Sequence, residues 1–524
     1  MTVMPGLSRV FLDYCSGALR AFLPLDVSKW ERPPLPSHWP ELVRLLAAQN
    51  PSASAAAPPA ALAQGAGTVV TGQQVGLFGG PLFTPFKAAT AVARARQATA
   101  AGHPHAAIFW LAAEDHDFAE IDHVSFPAGR ELEKLQYALP SEPAAARPVG
   151  GLTFDERITP LVDRALELLG PSDAAEALSA AYKPGRTFAQ AFADFYSKIF
   201  AAQGLLILDA GGREFHRLGA PVLRAAIERA DELHSALLDR NRQLEAAGYH
   251  AQVAVTPQSS LLFLIDQQSG ARLALKRTAP AEQEPHGLWQ AGRQSYSTAD
   301  LVGILDAEPE RISPSALLRP VFQDFLLSTS LVIGGPAEIA YFAQSAVLYE
   351  RILGRQTPAA PRFFGTLIEP AIAELLAKYE LTLERVFAEN LSSLAQLLAA
   401  RRMPIEGKQK LAAAGTALDA ELTALLDWMA LLDEGLGKSA ETAASKMRYQ
   451  MNRLRTLAAN FQLQREASLS RHAEAICQAL YPGGVLQERV HGAAYYFARY
   501  GLELAETLSA QAENPCPGHT ALWL

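Results

Sequence analysis

Two apolar runs in this chain pass directly into glycine-rich turns and then into helical patterns. That repetition restricts the fold more than any other feature. Thr68-Val69-Val70 leads into TGQQVGLFGGP (71–81) and then LFTPFKAATAVARARQA, while Thr329-Ser330-Leu331-Val332-Ile333 leads into Gly334-Gly335-Pro336 and AEIAYFAQSAVLYERI. Between them lie AAIFWLAA (106–113), running into Glu114-Asp115-His116-Asp117, and LLILD, ending in Asp209 before a helical stretch of roughly 213–247. Strands alternating with helices build a parallel sheet covered on both faces, and such strands read as unbroken apolar runs. The spacing predicts an α/β fold.

The chain has 524 residues, 49% of them hydrophobic, enough for two or three domains with their own cores. A net charge of −8 gives no general attraction to nucleic acid or anionic lipid, so neither is expected as a partner. Cys15, Cys477 and Cys516 are far apart, and no CxxC pair suggests a thiolate zinc site or a disulfide framework. A reducing cytoplasm is the expected setting. The N-terminal segment lacks the basic region and long apolar stretch of a signal peptide, and no apolar run has the length of a membrane span.

The expected organisation has four parts. Residues 1–67 are a short helix and an extended lead-in, then an Ala/Pro-rich surface connection over 51–67. A core follows over 68–384, with insertions at about 128–186 and 248–311. The second insertion reads as β-rich, with AQVAVTP, SLLFLID and RLALKR as short strands. Over 385–479, Leu411, Leu418, Leu422, Leu425, Met429 and Leu432 keep a heptad spacing. Met447, Met451, Leu454, Ala458 and Phe461 repeat it, with Asp433–Ser439 as the tip of an antiparallel helical hairpin. Two such helices bury little by themselves, which suggests pairing with a second copy. Residues 480–524 are expected to return to the core.

Chemistry concentrates at the ends of the apolar runs. Gly72, Gly76, Gly79 and Gly80 permit close backbone approach, and a helix N-terminus offers free N–H groups to an anion. Gln73 and Gln74 add donors and acceptors, and Lys87 lies about two turns into the helix. The alternative is a purely structural tight turn, since neither GxGxxG nor GxxxxGK[ST] is matched. The cluster EDHDFAEIDH (114–123) opens where ligands bind in open α/β sheets. There Asp115 and His116 suit substrate orientation or proton transfer, or helix capping. No ligand set that must converge on a metal is evident. Asp209 fits a hydroxyl partner or a cap, and Arg319 fits a carboxylate or phosphate, or a surface ion pair. After Gly335, the three-residue spacing of Glu338, Tyr341 and Gln344 puts them on one face of the first helical turns. Glu338 alternatively stabilises the helix N-terminus. Cys477 reads as packing and Cys516 as part of a loose tail. Leu486-Gln487-Glu488-Arg489 suggests no chemistry alone.

Six segments, TGQQVGLFGGPLFTPFKA, FWLAAEDHDFAEIDHV, SPSALLRPVFQDFLL, GGPAEIAYFAQ, PRFFGTLIE and YPGGVLQER, occur in an order that resembles the bacillithiol-biosynthesis cysteine-adding enzymes, the BshC family. The resemblance runs from about residue 8 to 505. It implies a Rossmann-like core akin to class I aminoacyl-tRNA synthetases and nucleotidylyltransferases, two connective insertions, and a coiled-coil hairpin that forms a homodimer. It also implies the last step of bacillithiol formation, an amide bond from the carboxyl of L-cysteine to the amine of glucosaminyl-malate. A carboxylate is a poor electrophile, so ATP with magnesium is the expected activator. Nucleotide contacts then fall to Gly72, Gly79, Gly80 and Asp209. Substrate contacts fall to Gln73, Gln74, Gly76, Lys87, Arg319, Gly335, Glu338, Tyr341 and Gln344, and proton transfer falls to Asp115 and His116. The synthetase signatures HIGH and KMSKS are absent from the sequence, and no zinc ligand set is evident. The rival readings are a nucleotidyltransferase on another substrate and a non-catalytic dimeric ligand-binding scaffold.

Overall fold

The computed structural model describes residues 6–23, 30–51, 57–129, 131–139, 146–278, 288–514 and 518–524; Cys516 and part of the Ala/Pro-rich connection lie outside the described residues. Five parallel strands form the central sheet: β1 (Gly67–Gln73), β2 (His105–Leu111), β3 (Leu206–Asp209), β4 (Thr329–Gly334) and β5 (Ala359–Pro361), in the spatial order β5-β4-β1-β2-β3. The chain builds outward from β1 through β2 to β3, then returns to lay β4 and β5 on the other side. The reversal falls between β1 and β4, and in such sheets a crevice opens at the carboxyl ends of those strands.

Strand periodicity divides the core into two layers. Val69, Phe109, Ile207 and Ile333 face one layer, with helix α1 (Phe83–Ala100) and the helix Phe188–Ile199. Val70, Ile108, Trp110 and Leu208 face the other, with α2 (Arg213–Glu228), α3 (Ala230–Ala246) and α4 (Arg319–Leu327). Side chains of a strand alternate between faces, so Val69 and Val70 serve different layers. The stretch 213–247 is two helices. Arg229 leaves the helical region between them, and its guanidinium bonds Glu232 and the carbonyl of Arg351. After β4, α5 (Pro336–Leu353) starts at the crevice.

Three local expectations are corrected. The ordered core begins before Thr68. Trp39–Gln49 is a helix with Leu42 and Leu46 buried, and Ala57–Ala63, inside the Ala/Pro-rich segment, packs on β2 with Leu62 buried. Asn50 completes the free edge of β3. Its amide donates to Ile207 O and accepts from Ile207 N, both at 2.8 Å, as a neighbouring strand would. AQVAVTP forms no strand, because the Gln344 side chain takes both the N–H and the carbonyl of Val253. The other two runs of that insertion do form strands, Leu262–Ile265 and Arg272–Ala274, the first paired on both sides.

The hairpin consists of α6 (Ile405–Leu432) and α7 (Glu434–Arg465). Its tip is shorter than the sequence suggests. Asp433 caps α7 by accepting from Leu436 N at 2.8 Å, so the glycines at 435 and 437 lie inside the helix. The seam is also narrower. Leu422, Ala444 and Met451 are buried along the hairpin and Ala459 against the helices at its base, such as Leu394 and Leu469, whereas Leu425, Leu432, Met447, Leu454 and Phe461 are exposed. Beyond the hairpin, His519–Trp523 pairs in parallel with Phe364–Ile368, and Leu504–Ala512 packs against α1. No helix among the described residues is long and apolar enough to cross a membrane.

Candidate functional site

A cleft of about 860 Å³ opens at the carboxyl ends of β1, β2 and β4. Gly72, Gln73, Gln74, Gly76, Lys87, Asp115, His116, Arg319, Gly335, Glu338 and Tyr341 all line it. Four expected residues are elsewhere.

On the β1 side, a Cβ on Gly72 would come within 2.9 Å of the Trp110 carbonyl, so only glycine lets β1 run this close to β2. Lys87 rises from α1 beneath the strand end with 3% exposure. Its Nζ donates to Gly72 O and to Gln73 Oε1, each at 2.8 Å, and pairs with Glu338. An ammonium has three protons, and all three are engaged, so Lys87 braces β1 against α5 rather than reaching a ligand. Burial lowers its pKa, and Glu338 opposes that shift. Glu338 also accepts the Gly335 N–H at 2.8 Å.

On the β2 side, Asp115 Oδ2 accepts from Gln74 Nε2 at 2.6 Å, and its Oδ1 accepts from the His116 N–H at 2.7 Å. Arg272 Nη1 lies 3.2 Å from His116 Nδ1. A guanidinium only donates, so Nδ1 is the acceptor and the ring proton sits on Nε2. In this arrangement Asp115 is the better proton acceptor of the two. Arg272 stands 3.8 Å above the Phe263 ring and also donates to Ser313 Oγ and Pro314 O. Below them Glu114, also in the cleft wall, lies 2.9 Å from Nε2 of the fully buried His216, whose Nδ1 is 3.0 Å from the Ile312 carbonyl. Burial works against the charge on His216, but Glu114 outweighs it and raises the pKa.

Opposite stand the cations. Arg319 donates to the Tyr341 hydroxyl at 2.8 Å and to Gln323 at 3.0 Å, both neutral partners, and the nearby Glu338 favours its charge. Burial pushes the Tyr341 hydroxyl up to about 12 against the pull of Arg319, so it stays protonated. Arg362 is buried in a bidentate pair with Glu488, at 2.5 and 3.0 Å. Next to it, Arg489 lines the cleft with no side-chain hydrogen bond or ion pair among the described residues. The first turn of α5 enters the same wall through Gly335, Pro336 and Ala337; Glu338 holds the Gly335 N–H and Pro336 has none, so the free helix N–H groups begin at Ala337.

The remaining expected residues have structural surroundings. Gly79 and Gly80 sit behind the cleft. Gly79 N donates to the Tyr182 hydroxyl, Gly79 O accepts from Tyr196, and Gly80 O accepts from Ala493 N. A Cβ on Gly79, at φ 85°, would lie 2.6 Å from Phe195. The turn amides of Gly76, Leu77, Gly80 and Leu82 are likewise spent on protein carbonyls. Asp209 caps the turn after β3 by accepting from Gly211 N at 3.0 Å, and burial raises its pKa. Gln344 is fully buried on Asn241 and Val253. Burial pushes the Cys477 thiol up to about 11, which disfavours its thiolate. Among the described residues no three His, Cys, Asp or Glu side chains are grouped to hold a metal ion. Sequence reasoning missed Glu114, His216, Arg272, Arg362 and Arg489 as site residues. Three of these fall in quoted segments, Glu114 in FWLAAEDHDFAEIDHV, Arg362 in PRFFGTLIE and Arg489 in YPGGVLQER. Arg272 and His216 carried no local signal.

The family description "Bacillithiol biosynthesis BshC, N-terminal Rossmann-like domain" matches residues 37–363, and "Bacillithiol biosynthesis BshC, C-terminal coiled-coil domain" matches 365–524. The chain belongs to the BshC family. One BshC relative, from Koribacter versatilis, is 44% identical over 461 residues, covering 88% of this chain and 84% of the relative. A second, from Solibacter usitatus, is 35% identical over 487 residues, with 92% and 88% covered. A third, from Salinibacter ruber, is 32% identical over 459 residues, with 86% and 82% covered. All three carry the name "Putative cysteine ligase BshC", which describes ligases. The BshC boundary between 363 and 365 falls just after Arg362, at the ion pair that fastens the C-terminal part to the cleft wall.

Proposed function

We propose that this protein joins the carboxyl of L-cysteine to the amine of glucosaminyl-malate, the last step of bacillithiol formation, with ATP and magnesium activating the carboxylate. The observation that carries the reading is a cleft, in a BshC chain, that brings Asp115 together with Arg319 and Arg489. The substrates match that polarity. ATP brings phosphates and malate brings two carboxylates, while the attacking amine must give up a proton.

The cysteine carboxylate oxygen attacks a phosphorus of ATP. Attack at the α-phosphorus makes cysteinyl-adenylate and expels pyrophosphate; attack at the γ-phosphorus makes an acyl phosphate and expels ADP. The amine nitrogen then attacks the carbonyl carbon, passes its proton to Asp115, and expels AMP or phosphate. Arg319, Arg489 and the α5 N-terminus hold the anionic groups, and they gain strength as charge builds on the leaving oxygen. Gln74 and the His116 N–H fix the Asp115 carboxylate, and Arg272 fixes the His116 ring.

We also propose a homodimer through the hairpin, with a reducing cytoplasm as its setting. Trp428, Leu431, Leu432, Leu454, Leu457 and Phe461 are exposed on one chain, and a second copy would cover them.

Mass spectrometry of the purified protein with glucosaminyl-malate and cysteine, with and without ATP and magnesium, tests the reaction. Product only with ATP supports it, and AMP or ADP identifies the attacked phosphorus. Product without ATP removes the activation step. No product in either mixture overturns the ligase reading.

A further inference from the structure

A second cavity, of about 370 Å³, adjoins the cleft between α2, α3, the segment 253–262 and the strand residues 274–277. Val253, Phe263, Ser315 and Ala316 line both spaces, so the chamber and the cleft share a wall. Phe263 marks the division, because Arg272 covers its ring at 3.8 Å within the cleft. The two spaces differ in lining. The cleft collects Arg272, Arg319, Arg362 and Arg489 beside Glu114, Asp115 and Glu338, while the chamber combines aliphatic walls from Leu237, Leu261 and Leu275 with a polar side made by His234, Lys276 and Arg277. A cavity of this volume with an apolar wall and a few convergent polar groups has the character of a small-molecule site.

One of those polar groups is unsatisfied. His234 lines the chamber, and its Nε2 is enclosed with no hydrogen-bond partner among the described residues. The Ser259 backbone favours a proton on this imidazole, and with Nε2 unpartnered we infer that the proton sits on Nδ1, which leaves Nε2 as an acceptor. Burial, helped by Arg277, lowers its pKa against the pull of Asp231, so the imidazole is neutral at pH 7.

A ligand that spans both spaces needs an anionic end and a flat apolar end that can accept burial. Cysteine and glucosaminyl-malate are polar throughout and have no such face. A nucleoside triphosphate has both ends. The geometry points to the chamber as the seat of the adenine ring of ATP, with the phosphates passing Phe263 into the cationic cleft. This assignment rests on the ATP-dependent reading above. It also carries a selectivity. An acceptor at His234 suits the exocyclic amine of adenine, whereas guanine presents a carbonyl at that edge and leaves the acceptor unpaired.

The test uses the full chain. Photolabelling of the wild-type protein with 8-azido-ATP is expected to mark peptides within 226–237 or 253–263 and to be suppressed by ATP. Labelling confined to other peptides overturns the assignment. Ala230→Trp, which fills the chamber from α3 without touching the cleft, is expected to raise the Kd and the KM for ATP by about tenfold or more with KM for cysteine little changed. His234→Leu is expected to narrow the preference for ATP over GTP. Unchanged ATP affinity in folded Ala230→Trp, with product formation still requiring ATP, overturns the chamber and leaves the ligase reading intact. A wild-type protein that neither binds ATP nor needs it overturns that reading and this one together.

Discussion

Glu488→Gln tests how the C-terminal part is fastened beside the cleft. The Arg362 and Glu488 side chains are 2% and 1% exposed, and two hydrogen bonds join them. Glutamine keeps the shape but removes the charge, stranding a guanidinium where water does not reach. Breaking a buried pair from one side costs about 3–5 kcal/mol. Arg362 retains its bond to Phe363 O at 2.7 Å and its place 4.2 Å over the Phe364 ring, which argues for the lower end, about 3 kcal/mol. Urea denaturation followed by circular dichroism reads the loss. Limited proteolysis should cut the 480–524 segment faster than in wild type, since the broken pair is one of its ties to the core, beside the strand pairing of His519–Trp523 and the packing of Leu504–Ala512 on α1. The double variant Arg362→Met with Glu488→Leu removes both charges, and a well-packed apolar pair is often as stable as the ion pair it replaces. It should therefore regain most of the stability yet form product slowly, because the cleft has lost a cation. A Glu488→Gln protein within about 0.5 kcal/mol of wild type would refute the buried, uncompensated charge on which the reasoning depends.

Asp115→Asn should abolish product with little change in thermal stability, since both its hydrogen bonds are at the cleft surface; normal turnover would remove Asp115 from the mechanism. Leu431→Glu, at a position 86% exposed on one chain, should give monomers by analytical ultracentrifugation with helicity intact. Leu422→Glu should instead unfold the hairpin, because Leu422 faces α7, and equal behaviour of the two variants would refute that division. Burial pushes the pKa of His491 from 6.5 down to about 4, with its nitrogens 2.9 Å from the Tyr496 hydroxyl and 2.8 Å from Gln478 O. Below pH 6.5 the unfolded chain takes up a proton that the folded site refuses. Stability is therefore full above that pH and falls as pH drops toward 4, by roughly 3 kcal/mol in total. Urea denaturation at pH 7 and pH 4.5 should show a smaller drop for His491→Gln than for wild type.

The sequence by itself determined the strands, the turns and the α/β class, because unbroken apolar runs and helical periodicity are written within a few residues of each other. It marked Asp115 and Glu338 for the same reason, since the carboxyl end of a parallel strand is a legible place. It also spelled out the six segments that mark the BshC family. It did not say which of two apolar stripes on the hairpin closes inward. Leu422 and Leu425 share the heptad pattern, and only the packing of α6 on α7 separates them. The roles of Lys87, Gly79 and Gln344 were hidden as well. A lysine in a helix looks available for a ligand until Gly72, Gln73 and Glu338 claim its three protons, and those partners come from β1 and α5. The cationic wall was the largest omission. Arg272, Arg319, Arg362 and Arg489 come from four separate regions of the chain, and a charge has no partner and no field until folding chooses its neighbours. Local order follows from the residues in a short window, whereas the cleft exists only where the sheet reverses direction and brings those distant residues together.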